Sequence, residues 1–91
     1  MPKANRYNPI SSELDLHALT VDEALIKLDR YLHDAFRAGY YTVTIVHGKG
    51  TGVLRNAVRQ YLEGHPLVKS YRWGERWEGG VGVTVVALSA E

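Results

Sequence analysis

Two short segments of this 91-residue chain carry residues that can move protons and hold phosphate. The first is Asp15-Leu16-His17. In an extended strand, residues two apart point to the same side, so the carboxylate and the imidazole meet. An aspartate beside a histidine fixes its tautomer and favours its protonated form. The second is His47-Gly48-Lys49-Gly50-Thr51-Gly52. Alternating glycines let the backbone approach a ligand with its N–H groups turned inward. Lys49 adds a point charge, and Arg55 follows one turn into the next helix. The pattern suits phosphate. It is neither a Walker A loop nor a dinucleotide-binding G-x-G-x-x-G fingerprint. With His17 and His47 at one edge, one imidazole is placed to take a proton from an attacking oxygen and the other to protonate the leaving oxygen. Lys49 and the glycine amides would neutralise the developing charge. Asp15, His17 and His47 are also a recognised donor set for a divalent cation such as magnesium. A third group, Arg72, Trp73 and Arg76 with Trp77, mixes cations with aromatic rings, a combination that stacks on unpaired bases. His33 and His65 are read as ordinary surface residues.

These segments must be positioned by a fold, and the remaining residues specify one. Residues 1–12, with two prolines and no periodicity, are expected to be a flexible lead-in, with the domain occupying 13–90. Glu13 to His17 alternates polar and apolar, as a short strand does. Thr20 and Glu23 form a capping box, and Val21, Ala24, Leu25, Leu28, Leu32, Ala35 and Phe36 follow at helical spacing until Gly39. Tyr41 to Val46 is a β-branched strand. Val53, Leu54, Ala57, Val58, Tyr61 and Leu62 make a second helix, stopped by Gly64 and Pro66. Val68–Trp73 is a polar strand, Gly74–Gly80 a turn region, and Val81–Leu88 the most apolar strand. The order βαβαββ implies two right-handed crossovers and a closing hairpin. Placing the apolar strand centrally gives a four-stranded mixed sheet of order 1-2-4-3, with both helices on one face: an α/β (α+β) two-layer sandwich. Thr42, Thr44 and Thr84 are then candidates for its open face. Parity puts His47 in phase with Val43 and Ile45, on the helix side. In such a sheet, ligands bind outside the carboxyl ends of the parallel strands, where His17 and His47 both lie.

Composition narrows the function classes. There are no cysteines, which excludes disulfides and thiolate metal sites. Eleven Lys+Arg oppose ten Asp+Glu, a net charge of +1. Nucleic-acid binding must therefore come from a local cluster. No apolar run is long enough to span a membrane, and the first residues do not resemble a signal peptide, so a cytoplasmic location is expected.

Three segments together resemble the Smr (small MutS-related) domain family: Leu14-Asp15-Leu16-His17 with Glu23-Ala24, His47 through Arg55, and Gly79 through Leu88. They span residues 13–90 in order. The resemblance implies the same βαβαββ fold, similar to the C-terminal domain of translation initiation factor three. It implies endonuclease activity on DNA or RNA. It also places the active-site segments at Asp15, His17, His47, Gly48, Lys49 and Gly50. Gly48, Gly50, Thr51, Gly52, Arg55, Arg72, Trp73 and Arg76 are the expected phosphate and nucleic-acid contacts. Expected partners are nucleic acid, including the ribosome, with the isolated domain a monomer. The alternatives are a nucleic-acid-binding module without cleavage, a protein-interaction domain using the open sheet face, or the C-terminal domain of a MutS-type anti-recombination or ribosome-rescue protein. One departure stands out: the family usually has glycine directly after the first histidine, and this chain has Ala18.

Overall fold

The computed structural model describes residues 10–89. The lead-in through residue 9 lies outside the described residues. The chain order is β1 (Glu13–Asp15), α1 (Val21–Arg37), β2 (Thr42–Val46), α2 (Val53–Leu62), β3 (Val68–Trp73), two 3-10 turns at Arg76–Glu78 and Gly80–Gly82, and β4 (Val83–Leu88). The sheet order is β1-β2-β4-β3. β1 runs parallel to β2, and β4 is antiparallel to both β2 and β3. This is the two-layer arrangement expected from the hydrophobic pattern.

The elements start and stop where their local chemistry dictates. Thr20 accepts from the Glu23 N–H at 3.2 Å, and Glu23 accepts from the Thr20 N–H at 3.0 Å, so α1 opens on a closed capping box. Gly39, at φ +88°, takes the left-handed position that ends it. Ala24, Leu28, Tyr31, Leu32 and Ala35 of α1 and Val58 and Leu62 of α2 bury one stripe each. They close on Val43 and Ile45 of β2 and Val86 and Leu88 of β4. Fully burying such a side chain stabilises by roughly 1.5–3 kcal/mol, so this single cluster holds the helices to the sheet.

Three expectations shift. Ile10 to Ser12 belong to the folded unit: Ile10 packs on the core, the Tyr40 hydroxyl donates to the Ile10 carbonyl at 2.6 Å, and the Thr44 N–H donates to the Ser12 carbonyl at 2.9 Å. The last strand begins two residues late, because Gly80–Gly82 tightens into a 3-10 turn. Thr84 is not on the open face. It lies opposite Ile45 in the β2–β4 register, and residues paired across strands share a face, so it is fully buried beneath the helices. Among the described residues, no helix is long and apolar enough to cross a membrane.

Candidate functional site

β1 ends at Asp15, and the chain turns there instead of continuing flat. The turn is closed by Asp15 itself. One carboxylate oxygen accepts the His17 backbone N–H at 3.0 Å and meets the His17 Nδ1 at 2.6 Å. A carboxylate only accepts, so Nδ1 carries the proton and Nε2 keeps its lone pair. The side-chain bond from His17, then its backbone N–H, hold Asp15 below the usual aspartate range. The imidazole is 63% exposed, which leaves Nε2 accessible. The pairing expected from strand alternation is thus made, but by a turn. Ala18 follows at φ +71°, the one non-glycine residue with positive φ among those described.

The glycine loop sits beside it. The His47 and Gly48 N–H groups both donate to the Gly82 carbonyl, at 3.0 and 2.9 Å, which ties the loop to the turn before β4. A Cβ on Gly48 would lie 3.5 Å from the His17 Cβ, so the two loops are in contact. Gly48 itself is at φ +87°. At Gly82 a Cβ would come within 3.1 Å of the Lys49 Cγ, so a glycine there leaves room for that side chain. Gly52 caps α2 at φ +95° without any side-chain hydrogen bond, and no acidic residue lies in the first turn. Thr51 Oγ1 reaches only the Val53 N–H, at 3.4 Å. The next N–H groups have no intrahelical partner. The start of α1, by contrast, is closed and carries Asp22 and Glu23. Of the two helix N-termini at this edge, only that of α2 is electrostatically open to an anion.

His17, Ala18, Thr20, His47 and residues 48–55 line one groove of about 590 Å³. His17 and His47 thus border one groove, but their surroundings differ. His47 is 4% exposed. Its Nδ1 lies 3.2 Å from the Gly48 carbonyl and its Nε2 2.8 Å from the Thr84 hydroxyl. A carbonyl only accepts, so Nδ1 bears the proton and Nε2 accepts from Thr84. Burial first, and then the nearby Arg55 and Arg59 charges, push its pKa down. His47 is a neutral ring with both nitrogens engaged, and no lone pair is left for proton transfer. Asp15, His17 and His47 do not assemble as a metal set: among the described residues, no three His, Cys, Asp or Glu side chains converge on a point that could hold an ion.

The basic and aromatic candidates separate. The Arg55 guanidinium folds back over Gly52, where a Cβ would come within 2.6 Å of it. Arg72 grips both oxygens of Glu78, at 2.9 and 3.0 Å, and so pins the turn between β3 and β4 instead of offering itself to a phosphate. Trp73 is half-exposed at the end of β3, Arg76 is exposed, and Trp77 is exposed beside it. Sequence reasoning missed two residues. Thr84, the partner of His47, is brought to it by the β2–β4 register, which pairs Thr84 with Ile45 two residues before the histidine. Arg59, 3.9 Å above the Trp73 ring, carries the signal of standing four residues after Arg55 on the same helix. His65 is not an ordinary surface residue. Its ring is 8% exposed, with Nε2 at 3.2 Å from Asp29 and Nδ1 accepting the Leu67 N–H at 3.1 Å. His33 is exposed, as expected.

Comparison with known proteins agrees with this geometry. A family model described as Smr domain matches residues 14–89. Endonuclease MutS2 of Pelotomaculum thermopropionicum is 54% identical over 85 residues, 93% of this chain and 11% of that protein. Endonuclease MutS2 of Geobacillus kaustophilus is 56% identical over 79 residues, 87% of this chain and 10% of that one. The chain thus spans about a tenth of these relatives' length. The crystal structure of the Smr domain of Thermus thermophilus MutS2 superimposes with a TM-score of 0.84 at 47% identity, covering 86% of this chain and 98% of that one. YdaL, a stand-alone small MutS-related protein from Escherichia coli, gives 0.80 at 28% identity, covering 87% and 65%.

Proposed function

The chain belongs to the Smr domain family, and on that premise we propose that it is a nucleic-acid endonuclease module that cuts a DNA or RNA phosphodiester backbone. The observation that carries this reading is the accessible Nε2 of an aspartate-oriented His17 in the same groove as the uncapped start of α2 and Lys49. Nε2 takes the proton of the attacking hydroxyl, which is water or a ribose 2′-OH. As the new P–O bond forms, the bond to the leaving oxygen breaks. Charge building on the non-bridging oxygens is met by the free N–H groups of α2 and by Lys49 and Arg55. The leaving oxygen takes its proton from solvent, since His47 has no free nitrogen. His47 acts as a positioning residue that holds the glycine loop against Thr84. Asp15 keeps the His17 tautomer and stabilises the imidazolium formed in the step.

The test separates chemistry from binding. His17→Ala removes the base and little positive charge, so cleavage of labelled single-stranded RNA or supercoiled DNA should fall about 10²–10⁴-fold. Affinity should stay within a few-fold. Asp15→Asn should fall in the same direction. Equal cutting by wild type and His17→Ala sinks the mechanism. A second reading, a binding module that does not cleave, is favoured by the full engagement of His47 and by the strained Ala18 next to His17. It takes over if wild type binds nucleic acid with clear salt dependence and cuts neither substrate.

A further inference from the structure

Beyond the groove, α2 carries a second cationic feature. Arg59 stands one helical turn after Arg55, so their side chains emerge on one side of the helix. The Arg59 guanidinium lies 3.9 Å from the Trp73 ring centroid and 5.2 Å from that of Tyr71, and Arg55 lies 5.5 Å from the same Trp73 ring. Arg37 and Arg72 have carboxylate partners, whereas neither Arg55 nor Arg59 has one among the described residues. The Nε of each is buried with no hydrogen-bond partner. An aromatic face holds a guanidinium flat by cation–π attraction but gives its in-plane N–H groups nothing to donate to. A planar guanidinium that is always charged, held in place and without a carboxylate partner among the described residues is matched through its outer N–H groups by a phosphate. Asn56, Arg59, Gln60, Glu63 and Tyr71 line a shallow polar groove there, with the Glu63 carboxylate accepting from the Tyr71 hydroxyl at 2.6 Å. Arg55 also lines the first groove, so the feature adjoins it.

We infer that Arg59, held over the Trp73 ring, binds a second backbone phosphate of the strand whose reacting phosphate lies at the start of α2. The substrate is then an oligonucleotide spanning at least two phosphates, not an isolated phosphodiester. Trp73 is a positioning residue that orients the guanidinium and does not itself stack on a base. The inference rests on the nucleic-acid reading above and adds to it a length and a path.

The experiment titrates a labelled ten-nucleotide single strand against salt in the His17→Ala background, where the strand stays intact. Each phosphate contact contributes about 0.7 to the log–log salt slope of a single strand. Arg59→Ala should lower the slope by about that amount and the low-salt affinity about tenfold. Inorganic phosphate should still shift the amide NMR signals of residues 48–55. Trp73→Ala should behave like Arg59→Ala, and Trp73→Phe, which keeps a ring face, should retain the slope. The inference is overturned if Arg59→Ala leaves slope and affinity intact while Lys49→Ala lowers both. It is equally overturned if Arg59→Ala abolishes the phosphate response at 48–55, since the two sites would then not be separate. If the background protein shows no salt-dependent binding at all, the nucleic-acid reading itself falls, and this inference with it.

Discussion

Ala18 offers a direct measurement of strain stored next to the reactive histidine. Its φ of +71° places an L-residue with a Cβ in left-handed backbone, which costs roughly 1–2 kcal/mol relative to glycine. The residue is exposed, so trimming its methyl group removes no core packing. Against the relief stands the larger entropy that glycine gives the unfolded chain, about 0.4–1 kcal/mol. Ala18→Gly should therefore stabilise the domain by about 0.5–1 kcal/mol. A chain of 91 residues unfolds with an entropy near 0.2 kcal/mol/K, so the midpoint should rise by about 3–5 °C. Ala18→Val is the opposing arm. A β-branched side chain fits left-handed backbone worse than alanine, and the midpoint should drop by at least as much. Thermal unfolding followed by circular dichroism reads both. A midpoint for Ala18→Gly at or below wild type, with Ala18→Val unchanged, would refute the reasoning, because a strained position must respond in opposite directions to the two replacements.

Other expectations follow from the buried histidine and the ion-paired arginine. Thr84→Val keeps the shape of the residue but leaves His47 Nε2 without its partner inside the protein, at a cost of about 1–3 kcal/mol in urea unfolding; a neutral result would show that the Thr84 hydroxyl is not what satisfies this buried nitrogen. His47 has its pKa lowered in the folded state by burial, so the unfolded chain binds a proton that the folded chain refuses. Stability is full above the ordinary histidine range and is lost as pH falls through it, with a slope of up to about 1.4 kcal/mol per pH unit. His47→Asn should flatten the profile between about pH 7 and 5.5, a window set by the ordinary histidine pKa; identical profiles would count against a neutral buried ring. The carboxylates act lower: Glu78, pushed down to about 2 by Arg72, and Asp15, lowered by His17, lose their contribution only as pH falls below the usual carboxylate range. Arg72→Ala should leave the salt slope of nucleic-acid binding unchanged, since that guanidinium is already held by Glu78; a slope reduced as in Lys49→Ala would show it reaching a phosphate.

Much of this domain was legible in one dimension because its signals are local or periodic. Helix boundaries followed from a capping box at Thr20 and from glycines at positions 39 and 64. The sheet order followed from the apolar character of β4 and the handedness of crossovers, which leave few arrangements open. Asp15, His17 and the glycine loop could be nominated because their chemistry lies in adjacent residues. What each nominated side chain does with its atoms was decided across the fold. Whether His47 has a free nitrogen depends on Thr84, thirty-seven residues away, and only the β2–β4 register brings them together. Whether Arg72 is available depends on Glu78 in a 3-10 turn that no periodicity announces. Arg59 gains its place only because β3 lays Trp73 beneath it. Residue type and spacing specify which groups can ionise and which face they share. A lone pair or a charge is left for a ligand only where no other part of the chain has already used it, and that depends on contacts between residues far apart in sequence.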